Sequence, residues 1–321
     1  MHRVVVAGGV HRAAVEHLRA RDDVDTVLLD TIDPEALNGE LPDAEGVLLR
    51  TQPITRDVLA LAPKLKVVAR HGVGYDAVDV DALSERRIPL TVVGDVNSIS
   101  VAEHTLFLIL AAAKQAVAYD RAVRSDGWSI RDGYSAQEIA GKTVLVVGFG
   151  RIGRRVARLT QAFEAMVMVH DPFVGDTDIR AEGAEPIREL DDGLARADVV
   201  TLHVPFTKGG PLLGADQIAR MKPGAVLVNT ARGGHVDEAA LVAALEGGHL
   251  AGAGLDVFAQ EPPAPDSPLF ALDSVVLSPH SAGLSEQCAA RMGLVAARNI
   301  TDAFDGTLDP ALVVNREAIG L

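Results

Sequence analysis

Residues 143–171 constrain the fold more than any other stretch. An apolar run, Val144 to Val147, meets three glycines at GxGxxG spacing: Gly148, Gly150 and Gly153. A helical period follows in Ile152, Val156, Leu159 and Phe163. A second apolar run, Met166 to Val169, ends in His170-Asp171. The order is strand, tight turn, helix, strand, acid, which is how a dinucleotide is held. Gly148 allows the turn, Gly150 lets the backbone approach a pyrophosphate, and Gly153 lets the helix lie close to the strand. The first turn, with Arg151 and Ile152, offers unpaired N–H groups to phosphates. Asp171 stands 18 positions after Gly153. There a carboxylate accepts from both ribose hydroxyls and repels a 2′-phosphate, so NAD is expected over NADP. No Arg or Lys lies between Asp171 and Gly175 to receive such a phosphate. Arg151, Arg154 and Arg155 either touch the pyrophosphate or form a solvated helix face.

The rest of the chain must be compatible with such a unit. Its 321 residues suggest about two domains. With 48% hydrophobic and 23% charged residues, the composition is that of a soluble globular chain with a sizeable core. A net charge of −14 disfavours nucleic acid and anionic membranes as partners. An anionic substrate stays open, because local arginines override the global field. The single cysteine, Cys288, excludes an internal disulfide and suits a reducing compartment. With no thiol or metal-ligand partner nearby, it reads as a buried structural thiol, and no metal site is expected. The N-terminus lacks a signal-peptide layout. The longest apolar stretch, Leu106 to Ala113, is far short of the ~20 residues that span a bilayer. A cytoplasmic location follows as the expectation.

The first third repeats a strand-then-helix rhythm. Strands are predicted at Val4–Ala7, Val27–Leu29, Val47–Leu49, Val67–Ala69 and Leu90–Val93. Helices are predicted at Ala13–Arg21, Thr55–Leu61 (capped by Thr55) and Val80–Arg86. Alternating βα units imply a parallel sheet with helices on both faces. Ligands bind beyond the carboxyl ends of such strands. Arg50-Thr51 and Arg70-His71-Gly72-Val73-Gly74 therefore read as candidate anion clamps, the glycines permitting a nest of N–H groups for a carboxylate. The plain alternative is two surface arginines and a turn.

Ser100 and Glu103 have capping-box spacing for a largely apolar helix running to about Tyr119, buried between domains or against another subunit. Trp128, in the loop after it, reads as a packing residue. Beyond the glycine unit, strands are predicted at Val199–Val204, Ala225–Thr230, Gly252–Val257 and Val275–Ser278. Their ends bring His203, Thr230-Ala231-Arg232, Asp256 and His280 to one rim of one sheet. Glu286 to Phe304 is a final amphipathic helix, after which the chain is expected to close the first domain.

A cofactor that carries a hydride leaves the protein a proton and an anion to handle. Arg232 suits holding a carboxylate and polarising the carbonyl beside it, being permanently charged and bidentate. His280 suits moving the proton, because an imidazole changes charge near neutral pH. A third group must keep that imidazole protonated, and position alone does not select it. His203 precedes Val204-Pro205 and reads as shaping the nicotinamide pocket. His235 and His249 read as surface residues.

Several stretches together resemble the D-isomer-specific 2-hydroxyacid dehydrogenase family. They are Arg-His-Gly-Val-Gly-Tyr-Asp (70–76), Asn-Ser-Ile-Ser-Val-Ala-Glu-His-Thr (97–105), Gly-Phe-Gly-Arg-Ile-Gly, and Leu-His-Val-Pro (202–205). The others are Val-Asn-Thr-Ala-Arg-Gly-Gly (228–234), Val-Asp-Glu-Ala-Ala-Leu (236–241), Leu-Asp-Val-Phe-Ala-Gln-Glu-Pro-Pro (255–263) and Ser-Pro-His-Ser-Ala-Gly (278–283). The resemblance covers almost the whole chain. It implies that Arg232, Glu261 and His280 form the catalytic set, Glu261 holding the imidazole charged. It implies cofactor contacts from Gly150 to Ile152, Asp171, His203 to Pro205, Thr230, Ala231, Asp256 and the turn from His280 to Gly283. Substrate anchors map onto Arg50, Val73 and Gly74, with Asn97 beside the cleft.

The implied fold is α/β: two Rossmann-like doubly wound domains with a cleft between. A flavodoxin-like substrate domain (1–98 with 285–321) receives an NAD-binding Rossmann domain (99–284) as an insert. Closure over the cleft and a homodimer built largely on the cofactor domain are further implications. Arg50 and Arg70 together are as in the phosphoglycerate-dehydrogenase branch, where extra positive charge suits a second anion. His71, in place of a frequent small residue, and Ser281, in place of a frequent apolar one, depart from it. The long forms' regulatory C-terminal domain is missing, so feedback control through it is not expected. A hydroxypyruvate/glyoxylate reductase or another 2-hydroxyacid dehydrogenase remains open. Two rivals are an NAD-sensing binding protein, since corepressors resembling this family keep the same Arg, Glu and His, and a Rossmann methyltransferase. The third glycine and the Arg232/His280 rim count against the methyltransferase.

Overall fold

The computed structural model describes residues 1–29, 33–205 and 209–321. It divides into two compact units, Met1–Asn97 with Leu284–Leu321, and Ser98–Gly283. The chain opens with β1 (His2–Ala7), α1 (Arg12–Arg19), β2 (Val24–Leu29), α2 (Pro34–Glu40), β3 (Gly46–Leu49), α3 (Arg56–Ala60), β4 (Val67–Arg70), α4 (Val80–Glu85) and β5 (Leu90–Thr91). The second unit runs through α5 (Ser98–Ala113), α6 (Ala116–Arg124), β6 (Thr143–Val147), α7 (Arg151–Ala162), β7 (Met166–His170), α8 (Asp176–Ala181) and β8 (Glu185–Pro186). It continues with α9 (Leu190–Arg196), β9 (Val199–Leu202), α10 (Ala215–Arg220), β10 (Ala225–Asn229), α11 (Glu238–Glu246), β11 (Leu250–Leu255) and β12 (Val275–Leu277). Two helices, α12 (Glu286–Asp305) and α13 (Arg316–Ile319), return the chain to the first unit.

The first unit is a parallel sheet in the order β2-β1-β3-β4-β5. All four residues of β3 are buried, as expected of a parallel strand covered on both faces. One cover is α12, packed on α1, β3 and β4 through Met292, Ala296 and Ile300. Thr55 caps α3 by accepting from the Val58 N–H at 3.3 Å. The helix α2, started by Asp33 and Pro34, was not read from the sequence.

The second unit is a seven-stranded parallel sheet, β12-β11-β10-β9-β6-β7-β8. The chain leaves β6 in one direction to β7 and β8, then returns to β9 on the other side. The order therefore reverses beside β6, where open α/β sheets bind ligands. One face is covered by α5 and α7 and the other by α9, α10 and α11, each over its own apolar core.

Four local expectations are corrected. Ser100 is not a cap: α5 starts at Ser98, and the buried Ser100 hydroxyl donates to the Ala282 carbonyl oxygen at 2.8 Å. The helix does not reach Tyr119. Gln115 turns left-handed at φ 52° and α6 continues at a 60° bend. Trp128 is 63% exposed, under the Arg131 guanidinium, instead of packed. His235, expected at the surface, is buried. Cys288 is buried with its thiol toward the Val96 carbonyl oxygen. Among the described residues no single helix is long and apolar enough to cross a membrane.

Candidate functional site

Six strand ends carry the polar residues of the second unit along one sheet edge. Gly148 follows β6 with φ +93°, a conformation that favours glycine. A side chain there would also meet the His203 carbonyl oxygen. A Cβ on Gly153 would run into the carbonyl oxygen of Gly148, so this glycine sets how closely α7 approaches β6. Gly150 is the helix N-cap; among the described residues no side chain caps that end, and a Cβ at Gly150 would meet none of them. The start of α7, with Arg151 and Ile152, is thus a bare helix N-terminus behind an open glycine, suited to phosphate. Arg154 points elsewhere, pairing with Glu182 and lying over the Phe149 ring. Arg155 donates to the Ser98 hydroxyl at 2.8 Å.

Asp171 follows β7. Its carboxylate accepts from the Phe149 N–H at 2.6 Å and the Phe173 N–H at 2.8 Å, which ties it to the glycine turn. Beside it lies a cavity of about 490 Å³ lined by Pro172, Val174, Ile187 and Arg188 among others. Arg188 was missed by looking only as far as Gly175. It reaches this wall from beyond β8 and is 3.3 Å from Asp176. His203 follows β9, with Val204 and Pro205 after it. Burial pushes its imidazole down to about 3, with Nε2 3.0 Å from the Thr201 hydroxyl. It is neutral at ordinary pH, and moving a proton is not its task.

The remaining three ends converge. After β10, the buried Asn229 accepts from the Ala231 N–H (3.0 Å) and donates to the Arg232 carbonyl oxygen (2.8 Å). This shapes the Thr230-Ala231-Arg232 turn. A Cβ on Gly233 would collide with the Phe258 backbone, so a glycine lets the Arg232 loop lie against the loop after β11. Neither role was read from the sequence, although an Asn at a strand end and a Gly-Gly pair were visible signals. On the facing loop Glu261 accepts from the Phe258 N–H at 3.1 Å and lies 2.6 Å from His280 Nδ1. Burial raises the Glu261 carboxyl, but the His280 hydrogen bond, the Phe258 N–H and the charge of Arg232 leave it below its usual range. Glu261 and His280 are therefore in contact, and the charge of Arg232 acts on Glu261.

His280 itself sits at φ +50°. Asp256, 1% exposed, holds its turn. The Asp256 carbonyl accepts from the His280 N–H at 2.8 Å, and its carboxylate accepts from Ser278 (2.5 Å), the Ser281 N–H (2.9 Å) and the Ala282 N–H (2.9 Å). Gly283 ends this unit. Thr230 is buried with its hydroxyl 2.9 Å from that of Thr105.

The first unit has its own cluster where β1, β3 and β4 end. Arg50 donates to the Gly9 carbonyl oxygen at 3.3 Å, beside the exposed Thr51. Arg70 donates to the carbonyl oxygens of Gly74 (2.8 Å) and Arg50, bracing the loop that holds Val73. His71 turns inward and is 5% exposed. Burial pushes it down to about 4, offset only in part by the Ala289 backbone. Asn97, half-buried, ends the unit's first segment.

The NAD binding domain of the D-isomer specific 2-hydroxyacid dehydrogenases matches residues 106–282. The chain is 44% identical over 294 residues to a D-3-phosphoglycerate dehydrogenase of Mycobacterium tuberculosis, covering 91% of this chain and 55% of that protein. It thus spans about half the length of the phosphoglycerate dehydrogenases it first matches. It is 40% identical over 282 residues to a glyoxylate reductase of Korarchaeum cryptofilum, covering 85% of this chain and 83% of the relative. The crystal structure of an Aquifex aeolicus D-lactate dehydrogenase complexed with NAD and lactic acid is similar at a TM-score of 0.88 and 29% identity, over 97% of this chain and 98% of that one. This chain belongs to the D-isomer specific 2-hydroxyacid dehydrogenase family.

Proposed function

We propose that the protein is an NAD-dependent oxidoreductase that interconverts a D-2-hydroxyacid and its 2-oxoacid, of the phosphoglycerate-dehydrogenase type. The observation that carries this is the 2.6 Å contact between Glu261 and His280 Nδ1, with the charge of Arg232 beside it, on the sheet edge that also bears the glycine turn. The residues present fit the cofactor: a glycine turn with open space before Gly150, an uncapped helix start, and a cavity beside Asp171. Gly148 to Gly153, Asp171, His203 to Pro205, Thr230, Ala231, Asp256 and Gly283 would hold it. When bound, its nicotinamide gives or takes the hydride.

The chain's own groups handle the rest. Glu261 occupies Nδ1 of His280, which leaves Nε2 as the atom that moves a proton. In reduction Nε2–H protonates the oxygen that becomes the hydroxyl; in oxidation neutral Nε2 removes that proton. Arg232 holds the carboxylate and polarises the adjacent carbonyl. Arg50, Thr51, Arg70, Val73, Gly74 and Asn97 form the substrate-side surface, with the buried His71 behind it instead of on it, making residues 1–98 with 285–321 the substrate domain and 99–284 the NAD domain. Reduction of hydroxypyruvate or glyoxylate is the second reading, favoured by the fuller coverage of the glyoxylate reductase.

A homodimer and a cytoplasmic location belong to the same proposal. The second unit exposes Phe107 on α5, and α6 and the 128–133 turn bury none of their residues. The test follows NADH absorbance with phosphohydroxypyruvate, hydroxypyruvate, glyoxylate and pyruvate. Turnover of at least one is expected. Tight NADH binding with turnover of none would favour a sensor instead.

A further inference from the structure

The turn from Ser278 to Ala282 carries His280, and α5 grips it at both ends. Ser100 donates to the Ala282 carbonyl oxygen at 2.8 Å, and His104 Nε2 lies 2.8 Å from the Ser278 hydroxyl oxygen. The i, i+4 spacing places both on one face of the helix. The Ser278 hydroxyl donates to the buried Asp256 at 2.5 Å. Its proton is therefore committed, and its oxygen can only accept from His104. That requires a hydrogen on His104 Nε2. Asp256, 3.5 Å from the same nitrogen, in turn receives the Ser281 and Ala282 N–H groups and holds the His280 N–H through its carbonyl. His280 keeps its left-handed backbone (φ +50°), unfavourable for a residue with a Cβ, inside this network.

We propose that His104 is a positioning residue for His280: its Nε2–H fixes Ser278 on Asp256, and so fixes the turn that presents the imidazole to Glu261. This rests on the reading of His280 as the proton carrier. His104 touches none of the reacting atoms.

The test compares His104→Leu with His104→Gln, whose amide can still donate near the Nε2 position. In the leucine variant kcat should fall about ten- to a hundredfold, the cost of a slightly misplaced catalytic group. NADH affinity should fall less than kcat: the glycine turn is untouched, although Asp256 and Gly283, which also hold the cofactor, border the loosened turn. Amide hydrogen exchange at residues 278 and 280–282 should rise in that variant, and glutamine should restore both readouts in large part. If leucine prevents folding, His104→Asn, whose shorter amide stops short of Ser278, takes its place. Wild-type kcat and unchanged exchange in the leucine variant would overturn the proposal. So would equal losses in leucine and glutamine, or a loss confined to NADH binding. His280→Ala is measured alongside: its retaining turnover would remove the catalytic reading, while the exchange arm would still decide the role of His104.

Discussion

Both units place polar residues at the carboxyl ends of parallel strands, yet the two edges are held in opposite ways. In the Ser98–Gly283 unit, carboxylates accept backbone N–H groups: Asp171 takes two, Asp256 two, and Glu261 one. Charge there fastens loops, and charge-assisted bonds to N–H are among the stronger ones available. In the other unit guanidinium groups donate to neutral carbonyl oxygens, and among the described residues Arg50 has no carboxylate partner. Arg50, hung on a carbonyl, keeps its charge to offer. On the proposed function, one edge is preorganised for a cofactor and a proton and the other for attracting an anion. Preorganised groups lose rate when disturbed, whereas attracting groups lose affinity.

The largest expected effect is on the fastened edge. His280→Ala should lower kcat about 10³-fold, the middle of the range for a general acid–base residue, with Glu261→Gln less severe. NADH binding followed by fluorescence should survive in both. Near-normal turnover in His280→Ala would erase the contrast between the edges.

Next is the acid stability of the other unit. His71 has an ordinary value of 6.5 and about 4 when folded. Between those values the unfolded chain binds a proton that the native state refuses. Stability from this group is complete above pH 6.5 and is lost as pH falls toward 4, by about 3 kcal/mol. His203, lowered to about 3, adds a slope of the same sign. Urea midpoints measured from pH 7 to 4 should therefore fall less steeply in His71→Leu than in the wild type; parallel curves would contradict it.

Arg50→Ala should raise KM for an anionic substrate about ten- to a hundredfold, the worth of a hydrogen-bonded charge of about 1.5–3 kcal/mol, while kcat changes less. An equal fall in kcat with KM unchanged would place Arg50 among the preorganised groups instead. The smallest effect is at Asp171→Asn. NADH should bind about tenfold more weakly, for the loss of about one charge-assisted bond, and NADPH should gain on it. Titration with both nucleotides decides it.

Much of this arrangement could be read before any coordinates. The glycine spacing, the apolar runs and the acid at 171 are local patterns, and they specify strand, turn and helix because sterics and periodicity act over a few residues. Arg232 and His280 were selected by chemistry at strand ends, Glu261 by family resemblance. The boundaries erred where a local signal met a stronger tertiary one. Ser100 and Glu103 spell a cap, yet the buried Ser100 hydroxyl serves Ala282, 182 positions away.

What chain-local chemistry settled, then, was the kind of element and the kind of residue at each strand end. Packing alone decided which of those residues meet. The pairing of His104 with Ser278 spans 174 positions, Arg188 arrives at the Asp171 cavity from another element, and His71 is turned into its own unit. Such choices depend on which distant groups must be hydrogen-bonded once water is removed. No periodicity along the chain records that demand.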